Sequence, residues 1–75
     1  MDFDDEYDAS GLLCPLPVLK ARKRLLALAD GQILRLIATD PAAIVDVPHF
    51  CVQTGYELLN MQDDGAAQVY FIRKH

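Results

Sequence analysis

A cysteine stands directly before two closely spaced prolines in the stretch Leu13-Cys14-Pro15-Leu16-Pro17-Val18, and a helical pattern follows it. Proline suits the first position of a helix, because its missing N–H needs no partner there and its φ is already helical. The residue before a proline is pushed toward extended geometry, as an N-cap requires. The stretch therefore predicts a helix whose first residue is Pro15 and whose N-cap is Cys14.

The predicted position of this thiol favours reactivity. The first N–H groups of a helix are unpaired and carry the positive end of the helix dipole, which favours a thiolate over a thiol. The thiolate is the nucleophilic form of cysteine. We therefore expect Cys14 to be the catalytic residue, with Pro15 and Pro17 supporting it by fixing the path from loop to helix.

Length and composition indicate one small packed domain, which we predict over residues 1–75 with a loose acidic segment over residues 1–4. Apolar residues make up 52% of the chain and charged residues 24%, as in globular proteins. The net charge of −4 gives little support to strong direct nucleic-acid binding. The N-terminal residues are acidic, which is unlike a secretory signal or a transit peptide. No apolar run reaches the length of a membrane span. We expect a cytoplasmic protein that acts away from membranes.

Hydrophobic spacing predicts the first three elements. A period of two predicts a strand over Asp5–Ala9, and a turn at Ser10-Gly11 follows it. A helical period predicts a helix over residues 15–29, which Gly31 ends as a left-handed cap. A nearly continuous apolar run then predicts a central strand over residues 32–39. The order strand, helix, strand indicates a parallel pair.

The next segment repeats the device of the first helix, with Asp40 as an acidic N-cap and Pro41 at the first helical position. Pro48 removes a backbone donor, and a continuous helix through it would cost about 3 kcal/mol. We therefore predict a turn over residues 41–46 and a separate helix over residues 48–54.

The last part of the chain predicts an antiparallel hairpin. Strand patterns over residues 56–62 and 68–74 flank the turn-forming cluster Asp63-Asp64-Gly65. Two sets of side chains compete for its buried face, and the sequence leaves the choice open. They are Val69, Phe71 and Arg73 in one set, and Tyr70, Ile72 and Lys74 in the other.

The predicted order is thus β-α-β-α-β-β. Two helical segments on one side of a mixed four-stranded sheet make an α/β (α+β) two-layer sandwich. This arrangement accounts for the whole chain.

Several motifs together resemble the TusA/SirA family of sulfur-carrier proteins. They are Gly11-Leu12-Leu13-Cys14-Pro15-Leu16-Pro17 before a basic helix, Ala38-Thr39-Asp40-Pro41-Ala42, Asp46-Val47-Pro48-His49-Phe50-Cys51 and the terminal Ile72-Arg73-Lys74. The likeness runs from about Tyr7 to Lys74. Family members often carry an acidic residue between the two prolines, where this chain has Leu16.

The resemblance implies a sulfurtransferase whose cysteine accepts sulfane sulfur as a persulfide and passes it on. Cys14 matches that cysteine, and no cofactor or metal is implied. The implied partners are a cysteine desulfurase or rhodanese-like sulfur donor and a downstream acceptor protein, in tRNA thiolation or another sulfur-transfer pathway. Arg22 and Lys23, on the basic helix, are candidates for partner docking, although they lie too far along it to assume contact with Cys14. The segment at Asp40 is a third candidate.

Two other interpretations remain open. Cys14 could be a redox sensor or a buried cap in a non-catalytic regulatory or interaction module, and the exposure of its thiol discriminates between these and a carrier. Metal or selenium handling by Cys14, Cys51 and His49 has a weaker case, because their spacing matches no standard site. Cys51 itself is expected to be a small buried hydrophobe, and His49 a partly exposed residue at a helix start.

Overall fold

The computed structural model describes residues 2–75, and its elements follow the predicted order β-α-β-α-β-β. They are β1 (Asp5–Ala9), α1 (Leu16–Leu26), β2 (Ile33–Ala38), α2 (Ala43–Thr54), β3 (Glu57–Asp63) and β4 (Gln68–Arg73). The strands form one sheet in the order β1-β2-β4-β3. Strand β1 runs parallel to β2, while β4 is antiparallel to both β2 and β3. The predicted mixed four-stranded sheet with two helices is confirmed.

The hydrophobic core lies between the sheet and the two helices. Alternate side chains of the two central strands point into it, because successive strand residues face opposite sides of a sheet. Tyr70 and Ile72 are fully buried in this core, which decides the question that the sequence left open for the hairpin. The other fully or nearly fully buried members are Ala9, Ala21, Leu25, Leu34, Leu36, Ala38, Ala43, Val47, Phe50 and Cys51.

An aromatic side chain on the opposite face of the sheet is also shielded from solvent. Phe71 is only 5% exposed, although it points away from the helices. The ring of Phe3 lies 6.3 Å from the ring of Phe71, centroid to centroid, and the Arg35 guanidinium lies 5.9 Å from the Phe71 centroid. Asp4 exchanges two hydrogen bonds with Ile33, each of 2.8 Å. Residues 3 and 4 of the segment predicted to be loose therefore lie on the sheet, and Met1 falls outside the described residues.

Helix α1 is shorter than the sequence predicts. It begins at Leu16, so Pro15 occupies the N-cap position and Cys14 stands one residue before it. It ends at Leu26, although the prediction extends to residue 29. After Leu26 the backbone no longer follows an α-helix. The Lys74 Nζ donates hydrogen bonds to the carbonyl oxygens of Leu26 and Leu28 at 3.3 and 2.7 Å. Since these carbonyls have a cation as their partner, the helix ends before Gly31, which serves instead as a turn residue with φ +88°.

Helix α2 runs without a break through Pro48, and the predicted division at this proline is wrong. Its buried residues Ala43, Val47, Phe50 and Cys51 form one stripe that continues on both sides of Pro48. Packing of that stripe against the sheet offsets the hydrogen bond that the proline removes. Gly55, with φ +80°, ends the helix in a left-handed conformation.

The helices are too short to cross a membrane. Helix α1 has 11 residues and α2 has 12. Over residues 2–75, no helix has the length and apolar character needed to cross a bilayer.

Candidate functional site

The site lies at the edge of the sheet where the parallel strands β1 and β2 end. The loop after β1 carries Cys14, and the loop after β2 carries Asp40. Two hydrogen bonds tie these loops together. Thr39 Oγ1 accepts the Gly11 N–H at 2.9 Å, and Asp40 Oδ2 accepts the Cys14 N–H at 2.6 Å. The backbone of the candidate nucleophile is therefore held by the segment that leads into α2.

Asp40 serves both loops with one carboxylate. Its Oδ1 accepts the Ala42 N–H at 3.0 Å, and its backbone carbonyl accepts the Ala43 N–H at 3.0 Å. Asp40 thus caps the turn that opens α2, much as the sequence predicts, although the helix proper begins at Ala43. This carboxylate has a structural role at the site, in addition to the docking role that remains a prediction.

Unpaired helix amides do not surround the Cys14 sulfur as the sequence predicts. Pro15 and Pro17 have no N–H, the Cys14 N–H is taken by Asp40, and the Leu16 N–H donates to the Leu13 carbonyl at 2.8 Å. The Cys14–Pro15 peptide bond is cis. Residues 14–17 therefore offer the thiol no free backbone donor.

The predicted lowering of the Cys14 pKa is wrong for the free chain. A hydrogen bond to Asp46, together with desolvation and the negative charges of Asp46 and Asp40, raises the pKa of the Cys14 thiol above its ordinary value. Nearby carboxylates disfavour a second negative charge on the sulfur. The free chain therefore holds Cys14 mainly as the protonated thiol at neutral pH.

A surface groove of about 280 Å³ opens beside Cys14, between α1 and α2. Its walls are formed by Cys14, Pro15, Val18, Leu19, Arg22, Asp46, His49, Phe50 and Gln53. Arg22 therefore belongs to the same groove as the thiol, although its position two turns along the helix argued against assuming contact. Lys23 is exposed and does not line the groove.

Sequence reasoning missed Asp46 as a neighbour of Cys14, and it did not place His49 in the groove. A topological signal for Asp46 exists, because β1 and β2 are parallel and each is followed by a helix. The starts of two such helices lie at the same edge of the sheet, so residues in the first turns of α1 and α2 become neighbours. Asp46 lies in the first turn of α2.

Cys14 is solvent-exposed, which is inconsistent with a buried cap. Exposed leucines flank it. Leu13 is 68%, Leu16 42% and Leu19 51% exposed. We call these three side chains the leucine collar. Apolar side chains clustered on a surface are typical of a protein-binding site.

Cys51 differs from Cys14 in being buried. It is 4% exposed in the core, and burial raises the pKa of its thiol to about 11. It behaves as the small buried hydrophobe that the sequence predicts. Within residues 2–75, no group of three or more His, Cys, Asp or Glu side chains is arranged to hold a metal ion.

Known proteins are similar to this chain in sequence and in fold. The family model described as Sulfurtransferase TusA matches residues 5–74. The Sulfur carrier protein TusA of Allochromatium vinosum is 49% identical over 73 residues, which cover 97% of this chain and 96% of that protein. The Sulfur carrier protein TusA of Pseudomonas entomophila is 46% identical over 71 residues, which cover 95% of this chain and 89% of that protein.

A solved structure shows the same architecture. The crystal structure of a SirA-like protein from Desulfitobacterium hafniense superposes with a TM-score of 0.82, covering 93% of this chain and 96% of that chain. At 22% sequence identity this likeness concerns the fold. The family model and the relatives, which extend over nearly the whole chain, settle the family itself. The chain belongs to the TusA family of sulfur-carrier proteins.

Proposed function

We propose that this chain is a sulfurtransferase that accepts sulfane sulfur as a persulfide on Cys14 and relays it to an acceptor protein. The observation that carries the proposal is the exposed thiol of Cys14 at the mouth of a groove in a TusA-family chain. A persulfide carrier needs a thiol that a partner can reach. Cys51 is unsuitable because it is buried.

The surroundings of Cys14 favour exchange with proteins rather than turnover of a small substrate. The leucine collar offers apolar surface beside the thiol, and Arg22 and Asp40 add one charge of each sign. We propose that these residues contact the partner, with the exposed Lys23 as a more peripheral cation. The proposed donor is a cysteine desulfurase or a rhodanese-like protein.

The acceptor is proposed to be another protein in a sulfur relay, and tRNA thiolation is one pathway that such a relay could supply. A net charge of −4 disfavours direct contact with RNA phosphates. Sulfur would therefore reach a tRNA through the acceptor. The proposed setting is the cytoplasm, where thiols are kept reduced.

Sulfur uptake tests the proposal directly. Incubation of the chain with a cysteine desulfurase and free cysteine is expected to add one sulfur atom, measured as an increase in intact mass. Peptide mapping is expected to place that atom on Cys14. A rhodanese with thiosulfate serves as the second donor, and failure of both to load Cys14 would contradict the proposal.

Alkylation of the native protein separates the carrier from a module in which Cys14 is a buried cap. Because Cys14 is exposed and Cys51 is buried, iodoacetamide is expected to modify Cys14 in the folded protein and Cys51 only after unfolding. Since carboxylates raise the pKa of Cys14, the rate of Cys14 alkylation is expected to rise with pH and to continue rising above pH 9. Mass spectrometry over time measures both sites. A Cys14 that reacts only in denaturant would contradict the carrier function.

A further inference from the structure

We propose that Asp46 accepts the thiol proton of Cys14 when a docked protein donor transfers its sulfur. The inference rests on the proposed function and adds a proton route to the same site. Asp46 stands in the groove wall beside Cys14 and is half-buried there. It would act at the reacting atom itself, since its side chain lines the same groove as the thiol that becomes the nucleophile.

Backbone hydrogen bonds connect the segments that carry Cys14 and Asp46. The Cys14 N–H is fixed by Asp40 Oδ2 at 2.6 Å, and the Asp46 N–H donates to the Ala42 carbonyl at 2.9 Å. Ala42 is itself bound to Asp40 through its N–H at 3.0 Å. The loop that carries the thiol and the first turn of α2 are therefore joined through one carboxylate, which keeps the thiol beside Asp46.

Four charged or titratable side chains face the groove or the loop that carries the thiol, and two of them, Asp46 and Asp40, act on the pKa of Cys14. Asp46 and His49 approach from α2, Arg22 from α1, and Asp40 from the loop after β2. Both oxygens of Asp40 already accept backbone N–H groups. Over residues 2–75, Asp46 makes no salt bridge. Of the two carboxylates, Asp46 is therefore the one that is free to take a proton.

Docking gives a proton acceptor on the chain itself a role. A protein donor that covers the leucine collar would exclude bulk water from the groove, so water could no longer carry the thiol proton away. A side chain within hydrogen-bond reach of the thiol would then hold the proton until the donor sulfur leaves. Asp46 is the carboxylate that meets this condition, because it lines the groove together with Cys14 and its interaction with the thiol raises the pKa of Cys14.

The transfer step balances without an added oxidant or reductant. As Cys14 Sγ attacks the terminal sulfur of the protonated donor persulfide, its proton passes to Asp46. A bond forms between Cys14 Sγ and that sulfur, while the bond between the sulfur and the donor cysteine breaks. The bonding electrons leave with the donor sulfur, which receives the proton held by Asp46. The products are a persulfide on Cys14 and a thiol on the donor.

The substitution Asp46→Asn tests this role, because it keeps the shape of the side chain and removes its charge and basicity. Asp30→Asn is the matched control, since Asp30 is exposed at the opposite edge of the sheet, in the turn before β2. His49→Gln tests the other titratable side chain on α2 in the groove. Each variant is examined by alkylation of the free protein and by single-turnover sulfur uptake.

Alkylation reports whether Asp46 holds the thiol proton. We expect Asp46→Asn to move the midpoint of the pH–rate profile for Cys14 down by about one pH unit. The thiolate fraction at pH 7 then rises about tenfold, and its lower basicity reduces its nucleophilicity about threefold, so the net rate rises about threefold. Asp30→Asn and His49→Gln are expected to leave the profile within about half a pH unit of wild type. An unchanged profile in Asp46→Asn would overturn the inference.

Sulfur uptake reports whether the proton acceptor matters in the docked complex. From a cysteine desulfurase with cysteine, we expect Asp46→Asn to load Cys14 about tenfold more slowly or worse, despite its faster alkylation. From glutathione persulfide, which leaves the groove open to water, it should load at least as fast as wild type. This second donor also shows that the variant is folded and competent.

Two outcomes of the uptake experiments overturn the inference. One is desulfurase loading by Asp46→Asn that equals or exceeds wild type. The other is a loss of loading in His49→Gln with normal loading in Asp46→Asn, which assigns the proton to the histidine. Absence of loading in the wild-type chain from every donor is a different failure. It removes the proposed function and the inference with it, whereas the two outcomes above leave the proposed function intact.

Discussion

Cys14→Ser is expected to abolish sulfur uptake completely, and Cys51→Ala is expected to leave it unchanged. A serine side chain has the same branching as cysteine, and its hydroxyl is smaller and more polar than the thiol, but it cannot form a persulfide. Cys14 is exposed, so the substitution should not disturb the core. The measurement is intact mass after incubation with a cysteine desulfurase and free cysteine, with no added sulfur expected in Cys14→Ser.

Cys51→Ala is the matched control because it removes the other thiol. Alanine suits this position better than serine, since Cys51 is 4% exposed and a buried hydroxyl without a partner costs about 1–3 kcal/mol. The loss of one buried sulfur is expected to lower stability modestly while the persulfide still forms. Sulfur on Cys51 in the Cys14→Ser variant would contradict the assignment of Cys14, as would loss of uptake in a folded Cys51→Ala variant.

The part of the site that the sequence predicts is local. Two prolines after a cysteine indicate a helix start to within one residue, so the candidate nucleophile could be proposed from its immediate neighbours. The protonation state of Cys14 could not be predicted in this way, because it depends on Asp46, a residue far along the chain. The thiol meets that carboxylate only after β1 and β2 pair in parallel and bring two helix starts to one edge. Local helix chemistry favoured a lowered pKa, and tertiary contact reverses it.

The bounds of the helices and strands likewise depend partly on local patterns and partly on distant contacts. Strand β1 was predicted with its observed bounds, because alternation of apolar and polar residues is a local signal. The end of α1 depends on Lys74, whose Nζ reaches two carbonyls near that end from the far end of the chain. The continuity of α2 through Pro48 depends on the packing of residues on both sides of it. Both errors arose where a distant contact outweighed a local preference.

The face of the hairpin could not be chosen from the sequence because both candidate faces become covered. Tyr70 and Ile72 enter the core with the helices, while Phe71 is shielded on the other side by Phe3 and Arg35. A strand that is buried on both faces loses the alternation on which the prediction depends. The likeness to a known family did not supply this detail either.

Leu36→Ala is expected to destabilise the fold strongly. Leu36 is fully buried at the centre of β2, where it is paired with Tyr7 of β1 and Tyr70 of β4. Loss of a buried leucine costs about 2–5 kcal/mol, through lost burial and the cavity that remains. A chain of 75 residues has a free energy of unfolding of only about 4–11 kcal/mol in total.

The measurement is the midpoint of thermal unfolding, with Ile37→Ala as the matched control on the same strand. Ile37 points to the opposite face and is half-buried, so its loss is expected to cost about 1 kcal/mol. Leu36→Ala is therefore expected to cost about 1–4 kcal/mol more than Ile37→Ala. At roughly 4–8 °C per kcal/mol for a domain of this size, its midpoint should lie at least about 4 °C below that of Ile37→Ala. Equal decreases in the two variants would contradict the placement of the core on the helix-covered face. Because the groove is built from the two helices that rest on this core, Leu36→Ala should also slow sulfur uptake at temperatures where Ile37→Ala remains folded and active.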